Sequence, residues 1–441
     1  MGLKTSQSAR VILLSVDGLR PDIYRATESR QHFPNLAALE KEGASAEAVE
    51  SIYPTTTYPA HATIVTGLPP RAHGIYSHLA SLDPTEKARP WCWFAPVLKA
   101  PTLWDVARAS RRRTAALSWP VSVGAAIDCN IPEIWNPAVA DPHRDFDTAA
   151  RHSTPGLFAE VARVLMPMLG KADPDKLRGE AALYLWNHYR PDFLLVHFVW
   201  YDSQAHVFGP ASPEALTALQ SADRAIGKIR DAIASDLATT LVVLSDHGFV
   251  PVEKEAAPLV VFAEHGLFAR GADGSLALRR LGAVSAGGSL AVYWLEEPSA
   301  DDRRRLATAL DRLRTTGAVQ EIIDRRQLGT LQADPDAELM IEAAPGFCFS
   351  DRLEGPVVSD SARDRGTHGF LPSHPGMEAM FIARGREIAP GKNLGRISLK
   401  QIAPTLAQVM GLPADILAPG EKPLALEEEM RTERWELKGE G

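Results

Sequence analysis

Residues 11–18 read Val11-Ile12-Leu13-Leu14-Ser15-Val16-Asp17-Gly18. Six residues with hardly a polar interruption are what a strand buried on both faces requires, and such strands belong to parallel sheets covered by helices. The Asp-Gly pair that follows places a carboxylate at the strand's carboxyl end, where ligands bind in open α/β folds. Similar apolar runs recur at Phe193 to Tyr201, Thr240 to Leu244 and Met377 to Ala383. Helical stretches lie between them. Pro34 to Lys41 stops before Gly43. Ser212 reads as an N-cap, with Pro213 in the first turn of a helix reaching about Ala234, and Leu399 to Met410 stops at Gly411. The alternation predicts an α/β fold: a doubly wound, mostly parallel sheet flanked by helices.

Two stretches interrupt the pattern. Residues 84–185 are rich in Trp and Pro and read as loop-heavy, whereas 252–350 carry their own strand and helix signals, with a charged helix near Ala300 to Thr315. The expected organisation is a core of 1–83, 186–251 and 351–420, an insertion at 84–185 covering the active site, a small α+β insertion at 252–350, and a charged, loosely attached tail at 421–441. No internal repeat is found.

At 441 residues, 45 % hydrophobic and 23 % charged, the chain has the composition of a globular protein of two or three units. The net charge of −8 argues against a nucleic-acid polymer as partner. No apolar run approaches the roughly 18 residues of a membrane span, so no membrane partner is expected. The six-residue apolar piece near the start runs straight into Asp17 and lacks a cleavage site, which reads as a cytoplasmic protein rather than a signal peptide. Cys92, Cys129 and Cys348 are too few and too scattered for a disulfide framework or a zinc ribbon. Oligomeric state leaves no signature.

The chemistry gathers at the predicted strand ends. Asp17 follows the first strand, Asp202 ends the second, and Asp246 with His247 follow the third. Three carboxylates delivered to one edge need cations to offset their repulsion. His206 lies four residues after Asp202, and His368 sits in Gly366-Thr367-His368-Gly369. Mixed Asp and His donors suit zinc, with manganese or cobalt as alternatives. Each motif alone is weak; their number and order carry the reading. In Pro54-Thr55-Thr56-Thr57-Tyr58-Pro59, Pro59 fits a helix opening and Gly67 its end, so Thr57 lies just before a helix N-terminus, which favours phosphate. A hydroxyl there on a divalent cation is a candidate nucleophile, the alternative being a run of capping threonines.

Taken together, VILLSVDGLRPD, YPTTTYPAHATIVTGLPPRAHGI, YDSQAHVFGP, LSDHGF, GTHGF and LKQIAPTLAQVMGLP resemble the alkaline phosphatase superfamily, and within it the nucleotide pyrophosphatase/phosphodiesterase family. The resemblance implies an alkaline phosphatase-like core with two zinc ions. One would be held by Asp202, His206 and His368, the other by Asp17, Asp246, His247 and the Thr57 oxygen. It implies in-line attack by Thr57, a covalent phospho-threonine, and hydrolysis of a small phosphate ester, nucleotides included. His78 stands where the family has an Asn that donates to a phosphoryl oxygen, and Tyr58 keeps an expected substrate aromatic. Ala60 replaces another family Asn, and His197 replaces an aromatic that helps hold a nucleotide base. His61 and His73 match no ligand position and read as structural. Trp91, Trp93, Trp119 and Trp135 read as core anchors of the first insertion rather than a substrate wall.

From Thr114 to Pro142 there is no Lys or Arg, which favours a diester over the more charged monoester. The alternatives are a phosphomonoesterase or phosphonate hydrolase on the same core, then a phosphotransferase or mutase, then a metal-binding protein without turnover. The Cys-x-Pro-x-Arg signature of sulfatases is absent.

Overall fold

The structure, a computed structural model, describes residues 9–427 apart from 27–29, 87, 140–144, 271–275 and 278–279. Its centre is an eight-stranded sheet. Across it the strands run Lys392–Asn393, Ala44–Ser45, Phe381–Arg384, Thr239–Leu244, Arg10–Val16, Phe193–Phe198, Thr114–Leu117 and Cys129–Ile131. All neighbours pair in parallel except Phe381–Arg384, which is antiparallel to both of its partners.

Alternation along the first strand shows why the sheet is covered on both faces. Ile12, Leu14 and Val16 pack into one core with the helices Pro34–Glu42, Pro174–Tyr189 and Pro213–Ala232. Val11 and Leu13 pack into a second core with Thr57–Thr66, Leu103–Ala109 and Ile402–Val409. The doubly wound α/β reading is therefore borne out.

Three local expectations change. The second strand ends at Phe198, and Trp200 to Phe208 form a helix, so Asp202 lies in a helix first turn rather than at a strand end. An acidic residue is favourable there because it faces the positive end of the helix dipole. The run from Met377 yields a strand only at Phe381–Arg384, and an antiparallel one. A strand buried on both faces has the same continuous apolar run in either direction, so the pattern could not give its sense. In the expected tail, Leu424 and Leu426 are buried in the second core, which ties the chain down to that point; 428–441 lie outside the described residues.

Beyond the main sheet, Leu281–Ser285, Ser289–Trp294, Leu339–Ala343 and Val319–Asp324 form a four-stranded antiparallel sheet packed against the helix Ala300–Arg314. Among the described residues no helix is long and apolar enough to cross a membrane.

A buried carboxyl joins this smaller sheet to two loops of the core. Glu342 accepts from Tyr53 Oη at 3.1 Å and from the Leu371 amide at 2.5 Å. Burial pushes its pKa up to about 8. The native state therefore holds a proton that the unfolded state loses near pH 4.5, and stability falls as pH rises through that window until about 8. The full effect is on the order of 5 kcal/mol, from about 1.4 kcal/mol per pKa unit. Glu342→Gln is expected to flatten the decline in melting temperature between pH 5 and pH 8.5. Parallel declines in variant and wild type would show that Glu342 is not the group responsible.

Candidate functional site

Each element delivers its side chain to the same edge of the main sheet. Asp17 follows Arg10–Val16, Asp246 and His247 follow Thr239–Leu244, and Asp202 and His206 share one face of the helix Trp200–Phe208. Gly18 makes the first turn possible. Its φ is +69°, its amide donates to Asp246 Oδ1 at 3.1 Å, and an added Cβ would lie 2.8 Å from the Phe249 ring.

The structure gathers these residues into two groups. Asp202, His206 and His368 form a half-buried one, and Asp17, Asp246 and His247 a buried one; within each, the potential ligand atoms lie within 4.8 Å of one another. The groups meet where the His247 and His368 rings stack at 4.0 Å.

The donor set fits metal ions, and the fit rests on how the other atoms are used. His206, His247 and His368 each turn Nδ1 to a backbone carbonyl, of Gly366 at 3.2 Å, Gly248 at 3.0 Å and Thr55 at 3.1 Å. With Nδ1 donating, each ring keeps a lone pair on Nε2, the atom facing the carboxylates. Asp17 Oδ1, Asp202 Oδ1 and Asp246 Oδ2 are buried without hydrogen-bond partners. Burial, followed by the charges of Asp246 and Asp202, pushes the Asp17 carboxyl well above its usual range. Burial likewise raises Asp202. For Asp246, burial is outweighed by His247, His61, His197 and the Gly18 amide, which hold it low.

The helix Thr57–Thr66 begins earlier than expected, so that Thr57 is its first residue rather than the one before it, and Thr56 is the N-cap. The three threonines differ. Thr55 is fully buried, donating to the Phe370 carbonyl at 2.9 Å and accepting from the Gly369 amide at 3.1 Å. Thr56 is buried and makes no side-chain cap. Thr57 is half-buried, with Oγ1 3.3 Å from His247 Nε2. It is the hydroxyl of the three that faces the metal-type groups.

His61 and His73 are both buried and hydrogen-bonded to their surroundings, and His61 Nδ1 also lies 3.5 Å from Asp246 Oδ2. His61 joins the Thr57 carbonyl at 2.8 Å to Ser15 Oγ at 3.0 Å, and His73 joins Thr63 Oγ1 to the Ile75 amide, both at 3.1 Å. Burial pushes both pKa values down to about 3. His78 lies near His206 and Arg89, and burial with those two neighbours lowers it to about 4. Its imidazole is thus neutral at neutral pH and stays so in mildly acidic solution.

Tyr58 is fully buried, with Trp91 packed edge-on against it at 5.3 Å. Trp91 and Trp135 stack at 5.3 Å, and Trp91 also touches His78 at 4.7 Å. Trp119 is a fully buried anchor, whereas Trp91, Trp93 and Trp135 stay half-exposed. His197 offers no face to a base: it is fully buried, between Glu133 and Asp17. Burial alone would lower its pKa, but contacts with those two carboxylates raise it to about 10.

Sequence reasoning missed Arg89 and Glu133. Arg89 is buried, donates to the Ala283 carbonyl at 3.1 Å and pairs with Asp351. It lies outside the stretch without Lys or Arg, and only folding brings it near His78. Glu133 left a signal, as the one Glu in the apolar stretch from Ala115 to Trp135.

The comparisons agree with this architecture. The family model for type I phosphodiesterase/nucleotide pyrophosphatase matches residues 11–371. Ectonucleotide pyrophosphatase/phosphodiesterase family member 3 of Mus musculus is 30 % identical over 251 residues, covering 54 % of this chain and 24 % of the relative. An uncharacterized pyrophosphatase/phosphodiesterase of Schizosaccharomyces pombe is 29 % identical over 255 residues, covering 55 % and 45 %. The matched part thus spans less than half the length of either relative. Murine ectonucleotide pyrophosphatase/phosphodiesterase 5 has a similar fold, with a TM-score of 0.62 at 18 % identity over 92 % of this chain and 96 % of that one. An inactive variant of that mouse protein, in complex with AMP, gives a TM-score of 0.63 at 16 % identity over the same shares. With the family match spanning most of the sequence and both Asp/His groups in place, the chain belongs to the type I phosphodiesterase/nucleotide pyrophosphatase family.

Proposed function

We infer that this protein is a two-metal phosphohydrolase that cleaves phosphodiester or pyrophosphate bonds with Thr57 as nucleophile. The observation that carries the reading is the common orientation of His206, His247 and His368, whose Nδ1 atoms are all engaged by carbonyls beside three unpartnered carboxylate oxygens. Zinc is the ion that this donor set suits best. Divalent ions held by the two groups would supply positive charge for the phosphoryl oxygens and lower the pKa of a hydroxyl beside them.

The chain's own residues do the rest. Thr57 Oγ gives its proton to solvent and attacks phosphorus; the new O–P bond forms as the ester O–P bond breaks, and the electron pair leaves with the departing oxygen, which takes up a proton from water. Water then displaces the threonine oxygen, releasing a phosphate monoester that keeps the second ester group, and returns a proton to Thr57. The first turn of the helix Thr57–Thr66 presents backbone N–H groups to the anion, and neutral His78 can donate one further hydrogen bond. In support, the AMP-bound mouse structure is of a threonine-to-alanine variant described as inactive. A nucleotide is accordingly the substrate class proposed for this chain.

Diesters are expected to be turned over faster than monoesters. A well-placed charge in a water-poor site is worth a few kcal/mol, about a hundredfold in rate. The described part of the wall at 114–139 carries no such cation. The observation favouring a monoesterase as the second reading is Arg89, whose charge is felt at His78. The test is kcat/KM for a matched aryl diester and monoester across pH. With His78 neutral above about pH 4, no rise in monoester activity is expected between pH 8 and pH 5.5 from that residue. A monoester preference at all pH values overturns the diesterase reading.

A further inference from the structure

Two buried polar groups have no part in the chemistry above. His197 lies within the strand Phe193–Phe198, directly opposite Ser15, two residues before Asp17. Both of its nitrogens face carboxylates: Nδ1 is hydrogen-bonded to Glu133 Oε2 at 2.8 Å, whereas Nε2 lies 3.1 Å from Asp17 Oδ2 as an ion-pair contact without hydrogen-bond alignment. Glu133 comes from the segment just beyond the edge strand Cys129–Ile131, and its side chain is 15 % exposed. The two Asp17 oxygens are thereby separated. Oδ2 faces His197, while Oδ1 has no hydrogen-bond partner and lies 3.4 Å from His247 Nε2, towards the buried Asp17–Asp246–His247 group.

We propose that Glu133 and His197 are positioning residues, a carboxylate–imidazole–carboxylate relay that holds the Asp17 carboxylate with Oδ1 turned to the buried metal group. The relay rests on the two-metal reading. A free carboxylate swings about its Cβ–Cγ bond, and a ligand held by an outer charge contact loses less freedom on binding. Glu133 orients the ring, and the ring orients Asp17. Glu133 lies in the stretch 84–185, expected to be an insertion, yet that stretch supplies Thr114–Leu117 and Cys129–Ile131 to the main sheet, so Glu133 approaches Asp17 from the core itself.

The experiment is zinc uptake by the full chain, stripped of metal and titrated against a chromogenic chelator, for wild type, Glu133→Gln, Glu133→Ala and His197→Gln. Folding is checked by circular dichroism; the near-isosteric Glu133→Gln carries the test if Glu133→Ala does not fold. One of the two zinc equivalents is expected to weaken by about ten- to a hundredfold in the Glu133 variants, alanine more than glutamine, with the other equivalent unchanged. In zinc-saturated protein, kcat is expected to fall while KM stays near the wild-type value. Two equivalents at wild-type affinity in a folded Glu133→Gln overturn the relay, as does equal weakening of both. A wild-type chain that takes up no zinc overturns the metal reading, and the relay with it.

Discussion

Thr57→Ala is expected to lower kcat by on the order of ten-thousandfold or more, because it deletes the atom proposed to attack phosphorus while leaving binding groups in place. The fold should survive. Thr57 is half-buried, and its side-chain hydroxyl approaches His247 Nε2 at 3.3 Å. Thr55, by contrast, anchors the Phe370–Gly369 turn through two hydrogen bonds, so Thr55→Ala should act on stability instead. Thr57→Ser keeps the hydroxyl and loses the β-branch that restricts its rotamers, so a smaller fall, roughly tenfold, is expected. Acid quenching of a slow diester should trap the phosphoryl group, still carrying its remaining ester, on wild type and Thr57→Ser but not on Thr57→Ala. Near-normal kcat in the alanine variant would remove Thr57 from the nucleophile's role, whatever its position.

How much of this was legible in the sequence follows from the range of each interaction. The doubly wound sheet was visible because Val11 to Val16 and Thr240 to Leu244 are apolar on both faces, a local property. The antiparallel sense of Phe381–Arg384 was not, because strand direction depends on the connection rather than on the strand's own residues. The six Asp and His positions could be paired from motifs, and the structure brings all of them into two compact groups. Their outer partners were invisible: the carbonyls of Gly366, Gly248 and Thr55 are backbone atoms that any residue would supply. Burial was equally hidden. Tyr58 was expected to touch substrate, and His197 stands where the family has a base-holding aromatic; both lie fully inside, and the aromatic surface left near His78 belongs to Trp91.

Removing metal is expected to abolish turnover and to destabilise the protein in a pH-dependent way. EDTA should bring activity to background, zinc should restore it, and elemental analysis of active protein should give two equivalents per chain. The stability argument is independent of turnover. Without cations, burial and mutual repulsion raise Asp17 and Asp202, so the native apo state holds protons there that the unfolded chain has lost. Stability of the apo protein should therefore fall as pH rises above the ordinary carboxylate range. Bound cations replace those protons and remove the repulsion, so zinc uptake should release protons and tighten with rising pH. Ligation also stabilises by mass action, about 4 kcal/mol when free metal is a thousandfold above its dissociation constant. The gap in melting temperature between zinc-loaded and EDTA-treated protein should thus widen from pH 5.5 to pH 8, reaching several degrees. Equal melting temperatures at pH 8, together with far fewer than two metal equivalents in active protein, would sink the two-metal reading. The three carboxylates would then be offset only by protons and by the His197 charge beside Asp17, and the low position of Asp246 keeps one of them from taking a proton.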